Sequence, residues 1–258
     1  MADALRVVAA LGRRSVRQTF RRPQLVAPIL IFPTLLLAVQ TGGAASAVDL
    51  PGFPAVNGFL DFMLAGAMLQ AALLAGNTGG IALAVDLEMG FADRLFAAPI
   101  SRYAIVLGRL AGTATLGVAT AIWFIAIGLI FGVEFEQGVL GMLTMVIFVS
   151  LCALVFGALS SAIALYTGQA SVVQGLFPLV FVILFLSSAF FPAELMLEPA
   201  ASIAEYNPLS FIATGVRDQV IGGLDAAVLA ETLGAIALVG AISFALSAVA
   251  LRRRLRIG

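Results

Sequence analysis

The sequence predicts an all-α integral membrane protein, and two observations predict it: the composition and the length of the apolar runs. Of the 258 residues, 62% are hydrophobic and only 11% are charged, whereas about a quarter of the residues in a typical soluble domain are charged. An apolar run of about 20 residues crosses a bilayer as a helix, which satisfies its own backbone hydrogen bonds in lipid. We predict six transmembrane helices, at residues 25–47, 59–85, 104–131, 140–166, 172–191 and 228–251.

The arginines determine the predicted orientation of these helices. All 14 basic residues are arginine, and with the N-terminus in the cytoplasm every arginine except Arg217 lies on or next to the inner side. An excess of basic residues in cytoplasmic loops is the usual bias of membrane proteins. We therefore predict a protein of the inner (cytoplasmic) membrane with both termini in the cytoplasm and with Asp49, Glu134 and Glu205 in the outer connections.

Residue types that the sequence lacks exclude several kinds of catalytic site. It has no histidine and no lysine, which excludes a histidine base or metal ligand, a Schiff-base lysine and the lysine of a phosphate-binding loop. The one cysteine, Cys152, lies inside an apolar run and is interpreted as a small core residue. No carboxylate or arginine is predicted at mid-membrane depth, which disfavours a proton-driven transporter. We predict no catalytic residue, cofactor or metal in this chain.

Residues 1–22 have the pattern of an amphipathic helix. On a helical wheel one side carries arginines and the other side is apolar, so that Arg6, Arg13, Arg14, Arg17 and Arg21 lie opposite Leu5, Val8, Leu11, Gly12 and Val16. This pattern predicts a helix lying in the membrane interface. A disordered polybasic tail near anionic lipid is one alternative. A signal peptide is another, because the letters ASA at 45–47 imitate a cleavage site after the apolar run.

Polar and small residues inside the predicted spans form a second set of candidates. Gln70 and Asn77 lie about two turns apart on one face of the second span, and we expect them to face protein. Gly128 and Gly132 form a pair of small residues four positions apart in the third span. These four residues are candidates for a pathway through the bilayer or for a dimer interface, and packing within the chain is the alternative.

Residues 192–227 form an outer connection that is too polar to span the bilayer. Within it, the stretch LSFIATGVRDQVI is amphipathic and follows Asn207 and Pro208, which signal a turn. We predict a re-entrant helical hairpin that enters the outer leaflet, with Glu205, Asn207, Pro208 and Arg217 as its candidate functional residues. A surface loop is the alternative, although the content of Leu, Phe and Ile favours burial.

The connection after the second predicted span is the longest polar passage between the first twenty residues and position 192. It reads DLEMGFADRLFAAPISR, residues 86–102. Three acids, two arginines, a glycine and a proline in one short connection indicate a surface that is contacted from outside the bilayer. A solvated loop is the alternative.

Three stretches in order resemble one protein family. They are DRLFAAPISRYAIVLGRL after the second span, FPLVFVILFLSSAFFPAELM across the fifth and IAEYNPLSFIATGVRDQVIGG before the sixth. Together, over nearly the whole chain, they resemble the membrane subunit of ATP-binding-cassette exporters of the daunorubicin-resistance permease kind. The resemblance implies that residues 1–22 are an elbow helix and that residues 86–102 carry a coupling helix docked on a separate ATPase chain. It also implies that residues 192–227 fold back into the outer leaflet.

The resemblance gives the polar connection a partner, and its composition suits that role. Specific interfaces place charged groups around an apolar anchor. The acids would accept hydrogen bonds, the arginines would donate them, the apolar residues would form the anchor and the proline would end the helix: Asp86, Glu88, Asp93, Arg94, Leu95, Phe96, Pro99, Ile100 and Arg102.

We therefore expect residues 1–258 to form a single permease domain. Its expected partners are two ATPase copies, which hold ATP and magnesium, a second and identical permease, and membrane lipid, but no nucleic acid. Few polar groups line the spans, so the expected substrate is a drug, a lipid or a lipid-linked glycan that is moved outward. Two other functions stay open: a membrane-embedded enzyme that uses Glu194, Glu198 and Glu205, and a passive channel or scaffold.

Overall fold

The computed structural model describes residues 2–21, 23–91, 102–223 and 225–257, and the chain is all-helical over these ranges. In chain order the helices are α1 (Ala2–Phe20), α2 (Pro23–Gly43), α3 (Phe59–Glu88), α4 (Arg102–Ile130), α5 (Gly138–Thr167), α6 (Ala170–Gly175), α7 (Phe177–Phe185), α8 (Ala200–Tyr206), α9 (Pro208–Ile221) and α10 (Ala226–Ile257). Short 3-10 helices lie at Ala45–Asp49 and Ala193–Leu195. The predicted all-α class is confirmed for this part of the chain.

Five of the described helices are long and apolar enough to cross a membrane. They are α2, α3, α4, α5 and α10, and they coincide with five of the six predicted spans. Helices α3 and α5 have 30 residues each. At 1.5 Å per residue each is about 45 Å long, which exceeds the ~30 Å hydrocarbon core of a bilayer.

The fifth predicted span, at 172–191, is not one continuous helix. Helix α6 ends at Gly175, and α7 begins at Phe177 and ends at Phe185. Pro178 lies in the first turn of α7, where it has no N–H to donate and its ring crowds the carbonyl four residues earlier, which favours a break at this point. Together α6 and α7 are about 24 Å long, shorter than the hydrocarbon core. The sixth membrane crossing therefore stays a prediction.

Helix α3 is the central helix of the fold. In its spanning segment 89% of the residues are buried, against 17% to 44% in the other four long helices. It packs against α2, α4, α5 and α9. Small residues permit close contact with α5, because a β-carbon at Gly76 would lie only 2.8 Å from the backbone nitrogen of Gly157. Such small-residue contacts hold helices together in membranes, where apolar side chains find lipid as favourable as protein.

Residues 2–20 form the helix that their amphipathic pattern predicts. Helix α1 packs its small residues on α4, where the Ser15 hydroxyl donates a hydrogen bond of 3.0 Å to the Arg109 carbonyl oxygen. A β-carbon at Gly12 would lie 3.2 Å from that of Ala111. The opposite side of α1 is exposed and carries Arg13, Arg14, Arg17 and Arg21. Protein covers the apolar side at these contacts, and a position of α1 in the membrane interface stays a prediction.

Candidate functional site

Two carboxylates tie the C-terminal end of α3, predicted to lie on the inner side, to neighbouring helices. Asp86 is buried and forms an ion pair with Arg109 of α4. Glu88 is exposed, and its carboxylate accepts a hydrogen bond of 2.7 Å from the backbone N–H of Ala170, the first residue of α6. An acid at this position satisfies an N–H that the helix leaves unpaired. The sequence predicted Asp86 and Glu88 as acceptors for a partner chain, whereas the structure gives each a partner within the chain.

The remaining residues of the predicted docking segment are largely outside the described ranges. This applies to Asp93, Arg94, Leu95, Phe96, Pro99 and Ile100, and Arg102 is described only as the first residue of α4. The described start of the connection contacts α1, because the guanidinium carbon of Arg14 lies 4.2 Å from the centre of the Phe91 ring. Docking through residues 86–102 stays a prediction.

The middle of α3 holds a buried amide without a hydrogen-bond partner. The side chain of Gln70 is 0% exposed, and neither its amide oxygen nor its amide nitrogen has a partner. Asn77 lies seven residues further along the same face, and its Oδ1 accepts a hydrogen bond of 3.3 Å from the Ser160 hydroxyl of α5. Both amides therefore face protein, as their positions in the sequence indicate. A buried polar group with no partner is rare, because burial removes its hydrogen bonds to water.

The predicted glycine pair has structural roles within the chain. A β-carbon at Gly128 would lie 3.1 Å from the Phe135 ring and 3.2 Å from the Leu64 side chain, so this glycine makes room for internal packing. Gly132 lies just beyond the end of α4 with φ of +82°, a conformation that glycine adopts without steric cost. The contacts of Gly128 agree with packing within the chain, whereas Gly132 is exposed and a β-carbon there would meet nothing within 4 Å. A pathway or dimer interface at this pair stays a prediction.

Arg217, in the segment predicted to lie on the outer side, joins α9 to α3 and to the turn after α7. Its Nη2 donates hydrogen bonds of 2.8 Å and 3.0 Å to the carbonyl oxygens of Ser188 and Ala189, which follow α7. Its Nε donates a 3.3 Å hydrogen bond to the carbonyl oxygen of Phe62 in α3. The guanidinium carbon also lies 3.7 Å from the centre of the Phe62 ring, a cation–π contact. We call this set of contacts the outer clamp.

The sequence pattern puts Arg217 in the predicted outer segment but does not reveal that its side chain is buried. The side chain is only 7% exposed, and the described residues offer it no ion pair. Arg217 is the only arginine that the predicted topology puts on the outer side. This isolated position is the sequence feature that could have indicated a special role for Arg217, because a buried arginine needs specific hydrogen-bond partners.

Asn207 connects α8, α9 and the end of α7. Its Oδ1 accepts a hydrogen bond of 2.9 Å from the N–H of Leu209 and so caps α9, while Pro208 occupies the first turn. Its Nδ2 donates to the carbonyl oxygens of Ile183 and Leu186, at 2.7 Å and 2.9 Å. The turn that the sequence predicts at this point is confirmed. Its entry into the outer leaflet stays a prediction.

An apolar cavity of about 520 Å³ lies beside this turn. Ile183 of α7 lines one part of it, and Ile203 and Tyr206 of α8 line another. Glu205, on the same short helix, is exposed.

Comparison with known proteins identifies the family. A sequence profile described as "ABC-2 type transporter" matches residues 6–220, most of the chain. The chain belongs to the ABC-2 type transporter family. With five apolar helices of sufficient length, this ABC-2 protein is a multi-pass membrane protein, and the resemblance read from its sequence is confirmed.

Two relatives named as drug-resistance permeases resemble this ABC-2 protein. It is 27% identical over 248 residues to the daunorubicin resistance ABC transporter permease protein DrrB1 of Streptomyces coeruleorubidus, with 86% of this chain and 83% of the relative covered. It is 25% identical over 156 residues to the probable doxorubicin resistance ABC transporter permease protein DrrC of Mycobacterium tuberculosis, with 59% of this chain covered. The match spans about half of the Mycobacterium protein, 56% of its length.

Proposed function

We propose that this ABC-2 protein is the permease subunit of an ATP-driven exporter that moves a hydrophobic or amphipathic molecule out of the cytoplasm. The observation that carries the proposal is the family match over residues 6–220, which includes four of the five long apolar helices. An outward direction agrees with the words "doxorubicin resistance" and "daunorubicin resistance" in the relatives' names, since a transporter confers resistance by removing the drug from the cell.

The energy for transport comes from a second kind of chain in this proposal. The 258 residues contain no lysine, and a phosphate-binding loop places its lysine on the phosphates of ATP. The ATPase partners therefore hold ATP and magnesium. Two ATPases and two permeases form the working assembly, because a pair of ATPases that close on each other imposes two-fold symmetry on the membrane part.

The inner surface around the start of α4 is the proposed docking site for the ATPase. The connection 86–102 leaves the central helix α3, and Arg14 of α1 packs on Phe91 at its start. Movement of this connection is therefore passed to α3 and α1 together. The Asp86 and Arg109 ion pair transmits it to α4, and the bond from Ala170 to Glu88 transmits it to α6.

Drugs of the daunorubicin and doxorubicin kind are the first substrates to test, and a lipid or a lipid-linked glycan comes next. Between Phe62 and Val85 the central helix carries no charged residue. A pathway along it would suit a molecule with a large apolar body and polar groups at its edge, since burying an unpaired charge in such a site is unfavourable.

The test is transport in inside-out membrane vesicles. The permease is co-expressed with a candidate ATP-binding-cassette ATPase from the same organism, and daunorubicin uptake is followed by the quenching of its fluorescence. We expect uptake that requires ATP, the permease and the intact ATPase. Matched vesicles carry an ATPase whose phosphate-binding lysine is replaced by alanine, and they should show no uptake.

Two outcomes would contradict the proposal. Uptake without the ATPase would indicate a passive channel. Chemical conversion of a membrane lipid by the purified permease alone would indicate an enzyme.

A further inference from the structure

Gln70 is the least satisfied polar side chain in the central helix. It is 0% exposed, and both polar atoms of its amide lack hydrogen-bond partners. Its chain neighbours Leu69 and Ala71 are equally buried and apolar. A buried amide without partners destabilises a fold, and an apolar side chain of the same size would not carry that penalty. The amide of Gln70 therefore keeps its full hydrogen-bonding capacity for a ligand.

The side of α3 that carries Gln70 becomes accessible toward its inner end. Residues spaced by three and four positions lie on one side of a helix, and here they are Gln70, Leu74, Asn77, Thr78 and Ile81. Gln70 is fully buried and the other four are partly exposed. We call these five residues the α3 stripe.

The same side of α3 is closed toward its outer end. Met63 is 1% exposed, and a β-carbon at Gly66 would lie 3.0 Å from the Phe190 ring. The outer clamp lies one turn further out, where Arg217 bonds to the Phe62 carbonyl oxygen. Gln70 thus occupies the closed end of a stripe that opens inward.

The chemistry of the stripe defines what it can bind. A primary amide offers two N–H donors and an acceptor oxygen, so it pairs with a hydroxyl and a carbonyl group on one ligand. No residue of the stripe is charged. The apolar members Leu74 and Ile81 offer contact for a hydrocarbon body.

We propose that Gln70 is a binding residue for the transported molecule, and that its amide pairs with hydroxyl or carbonyl groups at the edge of an otherwise apolar substrate. The proposal rests on the function proposed above and adds the substrate-recognition chemistry to it. The substrate enters along the inner half of the α3 stripe, and the outer clamp keeps the far end closed until the helices move.

The direct test is binding of daunorubicin, which carries hydroxyl and carbonyl groups on a fused ring system. The permease and ATPase complex is purified in nanodiscs without ATP, and the quenching of daunorubicin fluorescence gives Kd. Gln70→Met keeps a similar side-chain length and removes the hydrogen-bonding groups. We expect its Kd to rise about tenfold, the usual scale for the loss of a hydrogen bond to a ligand.

The matched control is Gln219→Met. Gln219 of α9 is also 0% exposed, but its Nε2 donates a hydrogen bond of 3.1 Å to the Gly215 carbonyl oxygen and it lies on a different helix. Its replacement should leave Kd for daunorubicin unchanged. The thermal midpoint of unfolding shows whether a change in Kd comes from lost binding or from lost folding. The midpoint of Gln70→Met should equal or exceed that of the wild-type protein, because the substitution removes an unpaired buried amide.

Different experimental results would overturn this inference and the proposed function. A wild-type complex that shows no ATP-dependent uptake of daunorubicin, of a lipid or of a lipid-linked glycan would overturn the proposed function, and this inference with it. A wild-type complex that binds the drug while Gln70→Met binds it equally well would overturn the inference alone. If Gln70→Met lowers the thermal midpoint, Gln70→Asn gives a second measurement, because it keeps the amide and should keep Kd within about threefold of wild type.

Discussion

Arg217 donates hydrogen bonds to three backbone carbonyl oxygens, and the carboxylate of Glu194 acts on its charge without forming an ion pair among the described residues. The three acceptors belong to Phe62, Ser188 and Ala189, which lie in two separate parts of the chain. A buried guanidinium that bonds only to carbonyl oxygens fixes geometry through its planar fork of N–H groups. The outer clamp therefore acts at one residue but positions α3, α9 and the turn after α7 together.

Replacing Arg217 with alanine should destabilise the folded protein by about 2–4 kcal/mol, because it leaves buried carbonyl oxygens without donors and removes the cation–π contact. The stability of Arg217→Lys should lie between those of the wild-type protein and Arg217→Ala, since lysine keeps the charge but lacks the planar fork of N–H groups. Cys152 is a buried free thiol, so a dye that fluoresces on reaction with thiols reports the thermal midpoint. Arg17→Ala, on the exposed side of α1, is the control and should stay within about 0.5 kcal/mol. Equal midpoints for Arg217→Ala and Arg17→Ala would show that the clamp does not stabilise the fold.

At the scale of single elements, the connection 86–102 divides into two groups of charges. Asp86 and Glu88 are bonded within the chain, to Arg109 and to the N–H of Ala170. Asp93, Arg94 and Arg102 stay the charges predicted to contact the ATPase, and their side chains lie outside the described part of the chain. This division follows from contacts between distant parts of the chain, which the local composition of the connection does not reveal.

Changing Asp93 and Arg94 together to alanine should lower affinity for the ATPase by about 30-fold or more, because a desolvated interface charge that loses its mate costs about 2–5 kcal/mol. Leu95→Asp or Phe96→Asp should be at least as damaging, since each places a charge in the apolar anchor. The amount of permease in the membrane should not change. Substrate-stimulated ATP hydrolysis and co-elution of the ATPase measure the effect at equal permease level.

The control for this experiment is a double alanine variant at Glu134 and Glu136. Both residues are exposed in the connection between α4 and α5, on the predicted outer side. This variant should bind the ATPase normally. If the Asp93 and Arg94 variant retains ATPase binding and stimulation, the connection is a solvated loop and the docking assignment is wrong.

Helices were predictable from the sequence where a local pattern decides them. The length of an apolar run determines whether a helix can span, and five long helices match their predictions. The break before Phe177 was not predicted, although Gly175 and Pro178 are visible in the sequence, because the continuous apolar run outweighed them in the interpretation. The burial of Arg217 and the pairing of Asp86 could not be predicted, since both depend on which distant helices meet.

At the scale of the whole molecule, the distribution of arginine predicts one orientation in the membrane. Single cysteines at Asp49, Glu134 and Glu205, in a Cys152→Ala background, should react with a membrane-impermeant maleimide on intact cells. All three positions are exposed. A cysteine at Arg94 should react only after the cells are opened, because the connection 86–102 lies inside. On intact cells, reaction of a cysteine in place of Arg94 but not of one in place of Glu205 would show that the topology is the opposite of the predicted one.

Helix α3 is bonded near both ends: Phe62 accepts a hydrogen bond from Arg217, and Asp86 and Glu88 contact α4 and α6. The outer clamp is therefore sensitive to the tilt of α3. Its 30 residues form a rod about 45 Å long, so a tilt of about 5° around its middle displaces each end by about 2 Å. A displacement of that size at Phe62 would stretch the 3.3 Å hydrogen bond from Arg217 Nε to the Phe62 carbonyl oxygen beyond the range in which it holds. Bonds from Arg217 to both α3 and the turn after α7 are thus compatible with only a narrow range of tilt. We therefore expect a small rocking of α3, started at Asp86 and Glu88, to be enough to break the bonds of the outer clamp.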